Sequence, residues 1–215
     1  MKAKKHLGQH FLTSKKVLHT MLDAANVAKG DTVLEIGPGQ GMLTQALIDA
    51  GAYVVAVETD TDMIALLEER FAEELATKQL VLICEDILNI RLNKSSIEDS
   101  IPTILCGYKV VANIPYYITG EIIRLFLTAK VQPQSMTLLL QKEVAQRIAQ
   151  DTKGSVLSMS VRAYGQPRYT TSVPARYFNP KPNVDSAVVP IASISRRFFD
   201  DVSEARFFTV LKHGF

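Results

Sequence analysis

The 215-residue chain has no tryptophan, only two cysteines and no excess of either charge, with 24 Lys+Arg against 22 Asp+Glu. No apolar stretch approaches the ~20 residues of a membrane span, and Met1–Lys5 leads into no signal-peptide core. Cys84 and Cys106 offer neither a disulfide framework nor a zinc-ligand spacing. Both lie in apolar runs, so they are expected to be buried free thiols in a reducing compartment. A cytoplasmic protein with no membrane partner and no metal follows. Repeats and low-complexity tracts are absent. At 47% hydrophobic and 21% charged residues the composition is globular, which excludes disorder, collagen and a disulfide mini-scaffold. The length admits one domain, or one domain and a fragment, at roughly 100–200 residues per domain.

The balanced total conceals an uneven distribution. The first 22 residues hold five lysines and no acid, and residues 141–215 hold eleven bases against six acids. Residues 60–100 carry ten acids and four bases, an ordinary solvated face. Basic ends suit a phosphate backbone, although solvated helices and tails look the same.

Strand and helix patterns alternate along the chain. Ser14 caps a helix through Val17, Leu18, Met21 and Leu22 to about Asn26. Apolar strands are expected at Thr32–Ile36, Tyr53–Val57, Gln79–Cys84, at a run ending on Val110–Asn113, and at Met136–Leu140. Helices are expected at Gly41–Ala50, Thr61–Glu74, Thr119–Ala129 and from Lys142 to about Gln150. Asn93–Ser100 reads as loop, and Val156–Tyr164 fits either helix or strand. Ala187–Ile191 is a strand interrupted by Pro190, expected near a sheet edge. This order implies an α/β fold with a mostly parallel sheet and helices on both faces, and ligands bound beyond the carboxyl ends of the strands.

Three segments at such ends carry chemistry. Glu35-Ile36-Gly37-Pro38-Gly39-Gln40-Gly41 joins a strand to a helix with G-x-G-x-G spacing, not the longer G-x-G-x-x-G of a pyrophosphate site. Glu58 ends the next strand, where a carboxylate can accept both ribose hydroxyls. Glu35 can orient the loop or meet an ammonium through water. Together they suit a nucleoside without phosphates, such as S-adenosylmethionine; the alternative is a tight turn beside a surface acid. Asp86 can accept from an exocyclic adenine amine, with Ile87 covering the ring, or simply cap a turn.

Asn113-Ile114-Pro115-Tyr116 is the most informative segment. The exocyclic amine of an aromatic base is a poor nucleophile because its lone pair is delocalised. Accepting its two hydrogens at Asn113 Oδ1 and a backbone carbonyl, that of Ile114, aims the lone pair at a methyl donor. Pro115 stiffens the turn, and Tyr116 stacks on the base, worth about 1–3 kcal/mol. Phe178, in Phe178-Asn179-Pro180-Lys181-Pro182-Asn183-Val184, is placed as the second wall of the stacking slot, or else anchors a proline-rich loop to the core.

With these motifs the chain resembles the ribosomal RNA adenine N6,N6-dimethyltransferases, most closely the bacterial small-subunit (16S) branch. The match spans the chain: Gln9-His10-Phe11-Leu12, Glu35–Gly41 with Leu43-Thr44, Glu58, Asp86, Asn113–Tyr116, Gln141–Arg147, and Phe178–Val184 with Asp185–Val189. The resemblance implies a seven-stranded Rossmann-like methyltransferase domain over residues 1–195. Residues 196–215, with the apolar Phe198-Phe199 and Phe207-Phe208, begin a truncated helical C-terminal domain. Gln9 and Leu12 would close over the methionine end of the cofactor. Gly37 and Gly39 would line it, Glu58 hold its ribose and Asp86 its adenine, with Asn113 also at the cofactor, while Asn113–Tyr116 and Phe178 hold a flipped adenosine. The implied reaction is dimethylation of two adjacent adenosines near the 3′ end of 16S rRNA during assembly of the small ribosomal subunit, with S-adenosylhomocysteine as product and a monomeric enzyme. His10 stands where the family often has Asn, and Tyr117 where Asn is frequent.

Asn-Ile-Pro-Tyr also occurs in the macrolide-resistance methyltransferases of large-subunit rRNA. Pro38 and Asp185–Val189 favour the small-subunit branch. A dinucleotide oxidoreductase fits neither the Gly spacing nor Asn113–Tyr116. A non-catalytic RNA-binding assembly factor on the same scaffold would keep the basic surface. Lys4, Lys5, Lys15, Lys16, Arg147 and Arg162 are the candidate phosphate contacts.

Overall fold

A computed structural model describes residues 4, 8–90 and 107–214. Cys106 and the Asn93–Ser100 stretch lie outside the described residues. The elements run β1 (Phe11–Leu12), α1 (Lys15–Ala25), β2 (Thr32–Ile36), α2 (Met42–Asp49), β3 (Tyr53–Glu58), α3 (Thr61–Arg70), α4 (Ala72–Ala76), β4 (Leu80–Cys84) and β5 (Lys109–Asn113). They continue with α5 (Thr119–Leu127), β6 (Ser135–Gln141), α6 (Lys142–Ala149), α7 (Val156–Tyr164), β7 (Gln166–Pro167), β8 (Thr171–Val173), β9 (Phe178–Asn179), β10 (Ser186–Ala192) and α8 (Glu204–Gly214).

The main sheet has the order β4-β3-β2-β5-β6-β10, with β7 and β8 both on the outer side of β10. The first five strands are parallel and β10 is antiparallel to β6. The expected sheet is therefore present, its seventh position shared by two short strands. Side chains alternate across each strand. Val33, Val54, Val111, Leu139 and Val188 pack with α1, α2 and α3 on one face. Leu34, Val55, Val110, Leu138 and Val189 pack with α5, α6 and α7 on the other. Burial on both faces explains the continuous apolar runs in the sequence. Helix α1 contributes Val17, Leu18, Met21 and Ala25 to the core, of which each of the first three is worth about 1.5–3 kcal/mol on burial.

Local chemistry settles the ambiguous segment Val156–Tyr164 as helix α7. The Ser155 hydroxyl accepts from the Ser158 amide, and the Ser158 hydroxyl accepts from the Ser155 amide, a reciprocal N-terminal cap. The expected Thr61–Glu74 helix is divided at Phe71, whose ring turns fully into the core.

Two expectations need correction. Pro190 does not place its strand at the sheet margin, because β10 has neighbours on both sides. The Pro190 carbonyl accepts from the Arg168 amide, in the gap between β7 and β8. In an antiparallel strand the nitrogen of a residue faces the same side as its carbonyl. The missing N–H therefore falls in that gap and costs the β6 ladder nothing. Cys84 is exposed, not buried, because it ends β4, the last strand on its side of the sheet.

The closing segment packs against α7. Arg196 pairs with Glu204 and donates to the Thr128 carbonyl at 2.8 Å. Tyr164 donates to Glu204 at 2.6 Å and its ring meets Phe199 at 4.9 Å between centroids. Among the described residues, no helix is long and apolar enough to cross a membrane.

Candidate active site

Winding runs from β2 through β3 to β4 on one side and through β5 to β6 on the other, so the crevice opens above β2 and β5. The strand register aligns the tips: Ile36 lies beside Val57 and Ala112, and Glu58 beside Cys84. The cleft above them has a volume of about 590 Å³, within the usual range of small-molecule sites. Gln9, Leu12, Glu35, Gly37, Gly39 and Glu58 line it. So do Asp86, Ile87 and the whole of Asn113–Tyr116.

Two of the three left-handed glycines in the turn after β2 show what it requires. Gly37 has φ +65° and nothing within 4 Å of where a Cβ would stand, so its absent side chain leaves open space in the cleft. Gly41 has φ +77°, and a Cβ there would come within 2.6 Å of the Phe71 ring. Glu58 braces this turn from β3. Its Oε1 accepts from the amides of Thr59 and Asp60, both at 2.9 Å, and its Oε2 accepts from the Gly39 amide at 3.2 Å. The residue is 7% exposed and lines the cleft.

Glu35 faces the α1–α2 layer, where it accepts from the Thr44 hydroxyl at 2.7 Å. Burial, opposed by the Thr44 hydrogen bond and reinforced by Glu58, raises its pKa to about 8. The folded chain therefore binds a proton that the unfolded chain releases above about 4.5, and stability contributed by the protonated carboxyl is lost as pH rises from about 4.5 to about 8. Glu35→Gln keeps an acceptor for Thr44 without ionising. The ligand-free variant is expected to melt close to the wild type at pH 4.5 and progressively above it towards pH 8; parallel melting profiles would contradict this.

Residues 8–12 are part of the cleft lining. Gln9 donates to Asp60 Oδ2 at 2.8 Å and accepts from the Lys4 amide, while Lys4 Nζ reaches Asp60 at 2.6 Å and Asp62 at 2.7 Å. Burial alone would push the Asp60 carboxyl up, but hydrogen bonds from Lys4, Gln9 and the Asp62 amide hold it below the usual range. Asp60 escaped the sequence reading; its only local signal was its place as N-cap of α3. Lys4 is thus engaged with carboxylates, not free for phosphate. Arg147 pairs with Glu143 and Arg162 donates to the Ala149 and Asp151 carbonyls. Lys15 and Lys16 are exposed at the start of α1; Lys5 lies outside the described residues.

Asn113 ends β5, and its Nδ2 donates to the His10 carbonyl at 3.0 Å. Tyr116 opens a 3-10 turn after Pro115, and its hydroxyl shares a hydrogen bond with Ser186 at 2.8 Å. Burial raises the Tyr116 pKa, so the ring is a neutral phenol. Asp86 uses Oδ1 to cap its own turn at the Leu88 amide, the alternative role foreseen for it, while still lining the cleft.

Phe178 takes the second of its two expected roles, anchoring its loop to the core instead of walling the stacking slot. It is 4% exposed, belongs to the core with Leu12 and Val173, and is absent from the cleft lining. This placement accompanies the antiparallel pairing of β1 with β9, which sets Leu12 opposite Phe178. Instead, the His10 ring lies against Tyr116, 5.9 Å between centroids and 25° between planes. Phe178→Ala is expected to cost about 3–5 kcal/mol of stability, a fall of roughly ten degrees in Tm. An unchanged Tm with impaired RNA methylation would return Phe178 to the slot.

Comparison with known proteins follows the same line. The family profile described as ribosomal RNA adenine dimethylase matches residues 1–215. The ribosomal RNA small subunit methyltransferase A of Dehalococcoides mccartyi is 41% identical over 220 residues, covering 100% of this chain and 71% of that protein. The protein of the same name from Fusobacterium nucleatum is 36% identical, covering 100% and 78%. A solved dimethyladenosine transferase from Plasmodium falciparum has a TM-score of 0.79 at 26% identity, over 94% of this chain and 70% of that one. The 23S rRNA methyltransferase ErmE shares the fold, with a TM-score of 0.77 at 24% identity over 94% and 77%.

Proposed function

Since the chain belongs to the ribosomal RNA adenine dimethylase family, we propose that it methylates N6 of two adjacent adenosines near the 3′ end of small-subunit rRNA, giving N6,N6-dimethyladenosine. The rRNA is presented by the small ribosomal subunit during its assembly, to a monomeric enzyme. S-adenosylmethionine supplies the methyl group, as an electrophile on a sulfonium sulfur, and leaves as S-adenosylhomocysteine.

The donor set fits that cofactor. Glu58 offers a carboxylate for the ribose hydroxyls, Asp86 and Ile87 an acceptor and an apolar cover for the adenine, and Gly37 the open space a ligand needs for close approach. Gln9 and Leu12 close the methionine end, with Glu35 beneath the loop.

Asn113 and the Ile114 carbonyl accept the two hydrogens of the target amine, aiming its lone pair towards the methyl group. Tyr116 stacks on the extruded base, and Pro115 fixes the turn that carries both. No strong base is required, because the nitrogen becomes acidic only once methylated and then loses its proton to water. Catalysis is positioning and electrostatics.

The observation that carries this reading is that Asn113–Tyr116 line one cleft with Glu58 and Gly37–Gln40. Transfer of tritiated methyl to purified small subunits lacking the modification tests it, with large subunits as control. Label on small-subunit adenines is the expected result. Label on large subunits alone would assign the chain to the other rRNA branch, and no label on either would leave an assembly factor.

A further inference from the structure

We infer that His10 is a positioning residue that fixes the amide of Asn113 with its oxygen towards the target amine; the inference rests on the role proposed for Asn113 above. A side-chain amide presents either a donor or an acceptor, and only the acceptor can draw the hydrogens of a nucleophilic amine. The His10 peptide oxygen only accepts, so the Asn113 atom meeting it at 3.0 Å is the NH2 group. A reversed amide would set two acceptors face to face. With Nδ2 held in this way, Oδ1 is the amide atom left for the substrate.

The His10 carbonyl is itself held by its own side chain. Nδ1 lies 2.7 Å from the Pro180 carbonyl, another pure acceptor, so Nδ1 carries the hydrogen. This ties residue 10 to the loop after β9, while Phe11 and Leu12 pair with Asn179 and Phe178 on the next turn of chain. The path runs from the Pro180 carbonyl through the imidazole and the peptide oxygen of His10 to Nδ2 of Asn113. The ring also rests on Tyr116, a second possible role that a suitable variant separates.

Asparagine carries Nδ2 on Cγ, the same attachment as histidine Nδ1, so His10→Asn keeps a donor for Pro180. His10→Phe keeps a ring for Tyr116 but no donor. His10→Ala keeps neither. Turnover at saturating rRNA and cofactor is to be measured with the three full-length variants, beside cofactor affinity, Tm and the side-chain amide NMR signals of Asn113, assigned by their loss in Asn113→Ala. His10→Ala and His10→Phe are expected to lower kcat about fivefold, the loss typical of one neutral hydrogen bond. Both should shift the Asn113 amide signals, and His10→Asn should restore turnover and signals alike. Wild-type turnover and unmoved signals in His10→Phe, or His10→Asn no better than His10→Ala, would overturn the inference. Should Asn113→Ala itself retain turnover, the fault would lie with the proposed role of Asn113. Comparing the Asn and Phe variants below their Tm decides the matter even if the alanine variant folds poorly.

Discussion

Asn113→Ala is expected to lower kcat by about a hundredfold or more, the scale of losing an electrostatic group aimed at the reacting atom, while cofactor affinity stays within about twofold of the wild type. The separation follows from position. Asn113 meets the target amine at the tip of β5, whereas Glu58 and the Gly37–Gln40 loop hold the other side of the cleft. The fold should tolerate the change, because the side chain is half-buried and gives up a hydrogen bond to the His10 carbonyl. Calorimetry with S-adenosylmethionine and methyl transfer to small subunits give the two readouts. An equal fall in both would mean that Asn113 serves the cofactor instead of the base.

Glu58→Ala should produce the opposite division. Two hydrogen bonds from ribose hydroxyls to a carboxylate are worth about 1.5–3 kcal/mol each, so cofactor Kd should rise by about a hundredfold or more. This variant also strips acceptors from the amides of Gly39, Thr59 and Asp60, so its Tm should fall. Glu58→Gln distinguishes the two effects. Its carbonyl oxygen can still serve the Thr59 and Asp60 amides, but its NH2 group cannot accept from a ribose hydroxyl or from Gly39. The glutamine variant should therefore hold its Tm near the wild type and still bind cofactor about tenfold more weakly. Wild-type affinity in both variants would remove Glu58 from the site.

Much of this architecture is legible in the sequence because its determinants are local. Strands buried on both faces have no choice but to be apolar runs, and the chemistry gathers where those runs stop: Gly37 after β2, Glu58 at the end of β3, Asn113 at the end of β5. The features that escaped depend on which distant segments meet. For Phe178 the local sequence left slot and core equally open, and nothing near it announces the pairing across from Leu12 that accompanies its place in the core. Lys4 looks like a phosphate contact until Asp60 and Asp62 are brought to it. Cys84 sits in an apolar run, but strand order leaves the end of that run on an open flank. Pro190 correctly signals a missing ladder bond; which neighbour would have received it depends on the interruption between β7 and β8.

That interruption bears on how the molecule behaves at high concentration. A foreign strand extending the sheet past β10 would need an unbroken row of amides and carbonyls to dock on. It would meet two fragments of two and three residues instead, and at Pro190 no amide hydrogen. A margin built this way resists edge-to-edge polymerisation without calling on charged gatekeepers.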